Sequence, residues 1–295
     1  MSALRARLEV AAGGAQFRAI AAAARAIAGL RTKLVDGVAY DARPGTPAKL
    51  PLATIHGFGG DKETWLMLAA LVPRARGLAN VDLPGHGASW DVPEAHATLR
   101  HHAEAVIRVL DAERIDRAIV CGNSMGGGVA LRLAASWPDR VAGLVLVDSV
   151  GRDVHEGGRA WIDGDNPLIP TEADVDRFMA IAMEQPPPVG RSVIRYVITR
   201  RARAAGRLKK LFRGFVLAPG ELGVPRDLDG ISVPALVIHG EQDRVIDRRT
   251  SEDLANALPR GELVVLRGVG HVPQLEAPRA TAKLVERFAR TLDSR

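Results

Sequence analysis

The pentapeptide Gly122-Asn123-Ser124-Met125-Gly126 follows the apolar run AIVC and precedes a helical pattern. A sharp strand-to-helix turn would present the Ser124 hydroxyl at the end of a strand, and flanking glycines would relieve the crowding there. A serine hydroxyl becomes a nucleophile only when a base takes its proton. Of the eight histidines, His271 in Gly-Val-Gly-His follows a late apolar strand and comes after the serine in the chain. His101 and His102 lie on a helix among polar residues, and His96 and His155 sit in loops. His239 ends a strand but precedes the candidate acid. A base of this kind needs a carboxylate to hold its tautomer and stabilise the imidazolium. Asp243, in Gly240-Glu241-Gln242-Asp243 after the strand ALVIH, suits that part, with Asp247 and Glu241 as alternatives. Ser124, Asp243 and His271 would together support acyl transfer through a covalent intermediate, which needs no metal and no organic cofactor.

The oxyanion of such a reaction needs preorganised N–H donors. One is expected from Met125, directly after the nucleophile, and the second from the turn His56-Gly57-Phe58-Gly59-Gly60, at Phe58. His56 then supports the loop. Asp82 and His86 in DLPGHG read as a structural turn, and Cys121 as a small buried hydrophobe.

These residues need elements to hold them. The stretch 33–41 reads as an edge strand or hairpin arm, followed by a turn at Pro44, Gly45 and Pro47. From Leu50 a beat repeats: LPLATI into HGFGG, a helix over 64–71, LANVD into LPGHG, and a helix over 98–110. AIVC then runs into GNSMGG, a helix covers 129–136, and LVLVD closes the half. Short continuous apolar strands alternating with helices indicate a mostly parallel sheet with helices on both faces. The glycine-rich turns then share the rim formed by the strands' C-terminal ends, where open sheets of this class carry their sites.

The beat stops after Asp148 and returns at Ala235 with ALVIHG, a helix over 249–258, ELVVLR, and a closing helix from Pro278. Between them lie Pro167, Pro170, Pro186, Pro187 and Pro188, with helical patterns over 172–183 and 191–215. Such an insertion between two core strands reads as a helical lid. The expected division is an N-terminal helix at 1–31, a core at 32–149 and 229–295, and a lid at 150–228. On the lid, Leu168, Ile169, Phe178, Met179, Met183, Ile194 and Tyr196 are candidates to surround an acyl chain, with packing inside the lid as the alternative for each.

A net charge of +6 invites an anionic partner, but no helix-turn-helix, zinc-finger or RNP-like pattern accompanies it, and 4% aromatic residues offer few stacking platforms. Nucleic-acid binding is therefore set aside. One cysteine rules out an internal disulfide framework. In residues 10–30, Arg18 and Arg25 interrupt the apolar run, so neither a cleavable signal peptide nor a spanning helix is expected. Phe17, Ile20, Ala24 and Ile27 would share one face of an amphipathic helix, either packed on its own domain or lying on a membrane. The stretch 191–213 holds nine basic residues and no acidic one, which reads as a solvated lid face or a contact for anionic lipid. The expectation is a cytoplasmic protein with peripheral membrane contact left open.

Taken in order, HGFGG, DLPGHG, GNSMGG, GEQDR and GVGHVPQLEAP resemble the α/β-hydrolase superfamily from about Lys33 onward. The order Ser, Asp, His is the one such proteins use. Asn166-Pro167-Leu168-Ile169-Pro170-Thr171 before the helical pattern over 172–183 resembles the cap of bacterial lipases and monoacylglycerol lipase-like hydrolases. That resemblance implies a carboxylic ester or lipid as substrate. The meta-cleavage C–C hydrolases share the look of GNSMGG but usually carry an aromatic residue after the histidine, where this chain has Val272. A non-catalytic ligand-binding protein on the same fold is the reading from another class.

Overall fold

The computed structural model describes residues 3–152, 158–162, 166–173, 175–187, 189–218 and 223–293. His155 and Pro188 lie outside these residues, as do the side chains of residues 3–6 and 158. The strands are β1 (Arg31–Val35), β2 (Val38–Arg43), β3 (Leu52–Ile55), β4 (Leu78–Val81), β5 (Ala118–Asn123), β6 (Val141–Val147), β7 (Ala235–Gly240) and β8 (Gly261–Leu266). They form one sheet in the order β1-β2-β4-β3-β5-β6-β7-β8. β1 and β2 pair antiparallel, β2 runs antiparallel to β4, and every later pairing is parallel. The β1–β2 hairpin closes on Asp36 and Gly37, both at positive φ (45° and 74°), the geometry a two-residue turn needs to follow strand twist.

β3, β5, β6 and β7 are buried along their whole length, as parallel strands covered on both faces must be. Alternate residues of β5 serve opposite cores. Val120 joins the cluster under α3 (Leu99–Ala112) and α4 (Met125–Ser136), while Ile119 and Cys121 join the cluster under α1 (Ala3–Ala28) and α2 (Leu66–Leu71). α2 is preceded by a 3₁₀ turn at Lys62–Trp65, so the helix expected from residue 64 starts slightly later.

Between β6 and β7 the chain forms α5 (Val175–Ala182), α6 (Arg191–Arg203) and α7 (Ala205–Val216). The single helical pattern expected over 191–215 breaks at Ala204, whose N–H is shared between the carbonyls of Arg200 and Arg201. α7 settles on the Glu94–Ala97 turn, where Gly214 approaches so closely that a Cβ would lie 2.1 Å from the Glu94 carbonyl oxygen. After β7 come α8 (Arg248–Ala257), the single turn α9 (Pro273–Glu276) and α10 (Pro278–Asp293). Buried Arg76 bonds both Glu286 and Asp293, tying α10 to the chain that leads into β4.

α1 packs against its own domain with only part of the expected face, Phe17 and Ala24, turned inward. Ile20 and Ile27 are exposed, and the buried stripe is Ala21, Ala24 and Ala28. Small side chains win because the contact is a close backbone approach. A Cβ on Gly13 would sit 1.9 Å from the Ser192 carbonyl oxygen of α6, and one on Gly14 would touch Tyr196. The basic stretch of α6 and α7 is largely paired within the fold. Arg191, Arg195, Arg200, Arg203 and Arg213 meet Asp176, Glu9, Asp61, Glu172 and Glu94.

Candidate active site

Ser124 joins β5 to α4 with φ 55° and ψ −121°, a conformation that non-glycine residues rarely adopt. The glycines around it are required by contact: a Cβ on Gly122 would lie 2.1 Å from the Gly126 carbonyl oxygen, and one on Gly126 would lie 2.4 Å from that of Ile55. α4 begins directly after the serine, four residues earlier than expected, so Met125 is its first residue. The N–H there has no acceptor within the helix and lies at the positive end of the helix dipole.

His271 and Asp243 meet with Nδ1 2.8 Å from Oδ2. The carboxylate accepts, so the proton resides on Nδ1 and the lone pair on Nε2 is left to act as a base. Asp243 Oδ1 also accepts the N–H groups of Val245 (2.7 Å) and Ile246 (3.2 Å). Burial pushes the Asp243 carboxyl up, but the His271 contact and the two backbone donors outweigh it and hold it below the usual range. The alternatives have other occupations. Asp247 caps α8 by accepting from Arg249 N–H, and the Glu241 carboxylate accepts from the Gln242 amide. The elbow and the histidine loop are joined through Asn123, whose amide donates to the carbonyls of Val147 (3.0 Å) and His271 (3.1 Å).

His56 is fully buried and its tautomer is defined by two contacts. Nε2 accepts from Leu83 N–H at 3.0 Å, so Nδ1 donates to the Gly57 carbonyl at 2.8 Å and ties the loop before Phe58. Burial lowers its pKa, which keeps it neutral. Asp82 is a hub for backbone: it accepts from Lys62 N–H and Ala88 N–H and pairs with the Lys62 ammonium at 2.6 Å. That is a structural turn.

Several residues with a bearing on the site were not singled out in the sequence. Arg201 of α6 donates to the carbonyls of Phe58 (2.9 Å) and Leu168 (2.8 Å), with its guanidinium over the rings of Phe58 and Phe178. Burial lowers its pKa to about 10, so it stays charged at neutral pH. Glu276 accepts from Gly270 N–H (3.0 Å) and Val272 N–H (3.1 Å), the neighbours of His271 on either side. The same carboxylate takes the N–H groups of Glu184 and Gln185 from the insertion. Arg244, next to Asp243, bonds the Ala180 carbonyl and Glu184. The end of α5 is thus clasped to both the acid loop and the base loop.

The candidate acyl-site residues divide. The rings of Phe58 and Phe178 and the carbonyl of Leu168 gather around Arg201, and the backbone of Met183 abuts Gly270 beside His271. Ile169 is half-buried against the main core, and Met179 and Ile194 are half-buried on their helices. Tyr196 faces α1, its ring 5.6 Å from that of Phe17. A surface depression of about 680 Å³ bordered by Pro51, Ala142 and Pro234 opens at the strands' N-terminal ends, the edge opposite these residues.

Residues 52–284 match the alpha/beta hydrolase family. Monoacylglycerol lipase ABHD6 of Rattus norvegicus is 28% identical over 271 residues, covering 84% of this chain and 77% of that protein. The 2-hydroxymuconate semialdehyde hydrolase of Pseudomonas sp. (strain CF600) is 31% identical over 285 residues, covering 90% of this chain and 93% of that one. The crystal structure of a membrane phospholipase A, a bacterial virulence factor, resembles this one with a TM-score of 0.82 at 28% identity, over 95% of this chain and 92% of the other. With that sheet order and those relatives, this chain belongs to the alpha/beta hydrolase family and is a lipase- and esterase-like hydrolase.

Proposed function

We propose that the chain hydrolyses carboxylic esters of the monoacylglycerol or phospholipid kind through an acyl-enzyme on Ser124. The observation that carries this reading is the Asp243–His271 hydrogen bond, which leaves Nε2 as the base, with Asn123 tying that loop to the elbow. His271 takes the Ser124 proton as Oγ attacks the ester carbonyl, and the N–H groups of Met125 and Phe58 stabilise the oxyanion. Collapse passes the proton to the leaving alcohol. Water, deprotonated by His271, then releases the acid and restores the serine. Residues 150–228 act as a lid, with Leu168, Phe178 and Met183 on the acyl side, over a core of 32–149 and 229–295. The naming of relatives as monoacylglycerol lipase and phospholipase supports a lipid ester as substrate. No helix among the described residues is long and apolar enough to cross a membrane. Any peripheral contact of the 1–31 helix with lipid would rest on exposed Leu8, Ile20 and Ile27.

The test is labelling by a fluorophosphonate, followed by turnover of a p-nitrophenyl ester chain-length series beside monoacylglycerols and a ring-fission dienone. Labelling at Ser124 with ester turnover is expected. An unlabelled, folded protein would return the chain to a ligand-binding role. Preferred turnover of the dienone would favour C–C hydrolysis, a reading that the 31% identity to the semialdehyde hydrolase keeps in view and that Val272 after the histidine weakens.

A further inference from the structure

Behind Asp243 stands a second carboxylate. β6 ends at Val147, and Asp148 follows at φ 43°, its N–H bonded to the Ile238 carbonyl of β7. The side chain is fully buried. Its Oδ1 accepts from Gly240 N–H at 2.9 Å and lies 3.1 Å from His239 Nδ1, a nitrogen that also contacts Ser251 Oγ at 2.9 Å. A side-chain atom from each of Asp148, His239 and Asp243 lies within 4.8 Å of the others. Oδ2 of Asp148 is buried and has no hydrogen-bond partner among the described residues, counted as the acceptor an ionised carboxylate would be.

Two carboxylates this close, out of water, do not both ionise. The choice between them follows from their donors. Asp243 accepts from His271, Val245 and Ile246, all of which favour its charged form. Asp148 has one backbone donor and one oxygen with none. A proton on that oxygen turns an orphaned acceptor into a donor beside an acceptor-rich neighbour.

We propose that Asp148 is a neutral carboxylic acid at neutral pH, donating a hydrogen bond to Asp243 and so acting as a positioning residue behind the Asp243–His271 pair. The pair of acids then carries one negative charge, which stabilises the imidazolium formed during turnover. Burial, and after it the Asp243 charge and that of Glu276, hold the Asp148 carboxyl well above its usual range. Burial lowers the His239 pKa, which makes the imidazole a neutral neighbour instead of a counter-ion.

This inference rests on the triad proposed above, so two of its three readouts do not use activity. The full-length protein is compared with Asp148→Asn, whose amide keeps the donor, and with Asp148→Ala, which loses it. Infrared difference spectra at neutral pH should show the carbonyl band of a protonated carboxylic acid in the parent protein and its absence in Asp148→Asn. The raised pKa means that the parent's stability is present in acid and lost as pH rises toward the folded-state value. The melting temperature of Asp148→Asn relative to the parent should therefore climb between about pH 5 and pH 8. In kinetics, Asp148→Ala should lose about tenfold or more in kcat, and Asp148→Asn should recover most of that loss with the acid limb of kcat/KM in place. A missing infrared band, a flat stability difference, or an acid limb falling by about one pH unit in Asp148→Asn would mean that an anion had been removed, and would overturn the proposal. So would a divalent cation that stabilises the parent but not Asp148→Asn. Absence of esterase activity with the infrared and stability results intact would sink the triad reading and leave the neutral acid standing.

Discussion

Ser124 holds a backbone conformation that costs on the order of 1–3 kcal/mol for a side-chain residue. Replacing it with glycine should relieve part of that, so Ser124→Gly is expected to unfold at a higher urea concentration while losing turnover. Ser124→Ala and His271→Ala should each lower kcat by about ten-thousand-fold, and the double variant little further, because the two act as one unit. Asp243→Asn should approach the same loss through the wrong histidine tautomer. Asp247→Asn keeps a side chain able to cap α8 and should leave kcat close to the parent value. Kinetics on one ester with all five proteins checks this ranking, and the reverse order for Asp243 and Asp247 would move the acid. Asp243 and Asp148 both come after a strand, so place along the chain gave no mark of a special part for Asp148. Its role depends on a neighbour almost a hundred residues away that only strand pairing brings close.

At the scale of elements, Glu276 is the joint between the insertion and the histidine loop. Its carboxylate holds Gly270 and Val272 on one side and Glu184 and Gln185 on the other. Glu276→Ala should lower kcat about tenfold or more while making the segment near α5 easier to cleave in limited proteolysis. Unchanged kcat with faster cleavage would separate the contact with the insertion from the histidine. A second joint is the crossing of α1 and α6. Gly13→Leu must push the helices apart at the Ser192 carbonyl, with an expected destabilisation of about 1–3 kcal/mol. A thermal melt that matches the parent would show that α1 contributes nothing to the fold through this crossing. The break of α6 from α7 falls at Ala204, two residues before Gly206. It arises because Arg201 must reach the Phe58 carbonyl while Gly214 must lie against Glu94, two demands a straight helix does not meet together.

For the whole molecule, the rings of Phe58 and Phe178 around Arg201 should favour esters with several acyl carbons over acetate, since each buried methylene is worth about 0.8 kcal/mol. A chain-length series in kcat/KM that falls from acetate onward would argue for a small closed pocket. Because carboxylates of the same chain meet most of the α6 charges, partitioning onto phosphatidylglycerol vesicles should differ little between low and high salt. A steep salt dependence would restore an electrostatic docking face.

The sequence by itself determined the strand–turn–helix beat and the glycine-flanked turn at Ser124, and it nominated His271, because each is written in local spacing and glycine placement. Continuous apolar runs sufficed to make strands, and a strand's end sufficed to place a site on the sheet rim. What tertiary structure alone decided were the contacts between segments far apart in the chain. The pairing of the basic helices with Glu9, Asp61 and Glu94 is one, and the burial of α1 on its alanine stripe is another. The clasp of Glu276 and the carboxylate behind Asp243 complete the set. Charge and hydrophobicity along a sequence say what a residue can do. Which partner desolvates or neutralises it is a property of packing, and packing is where each of these side chains acquired its part.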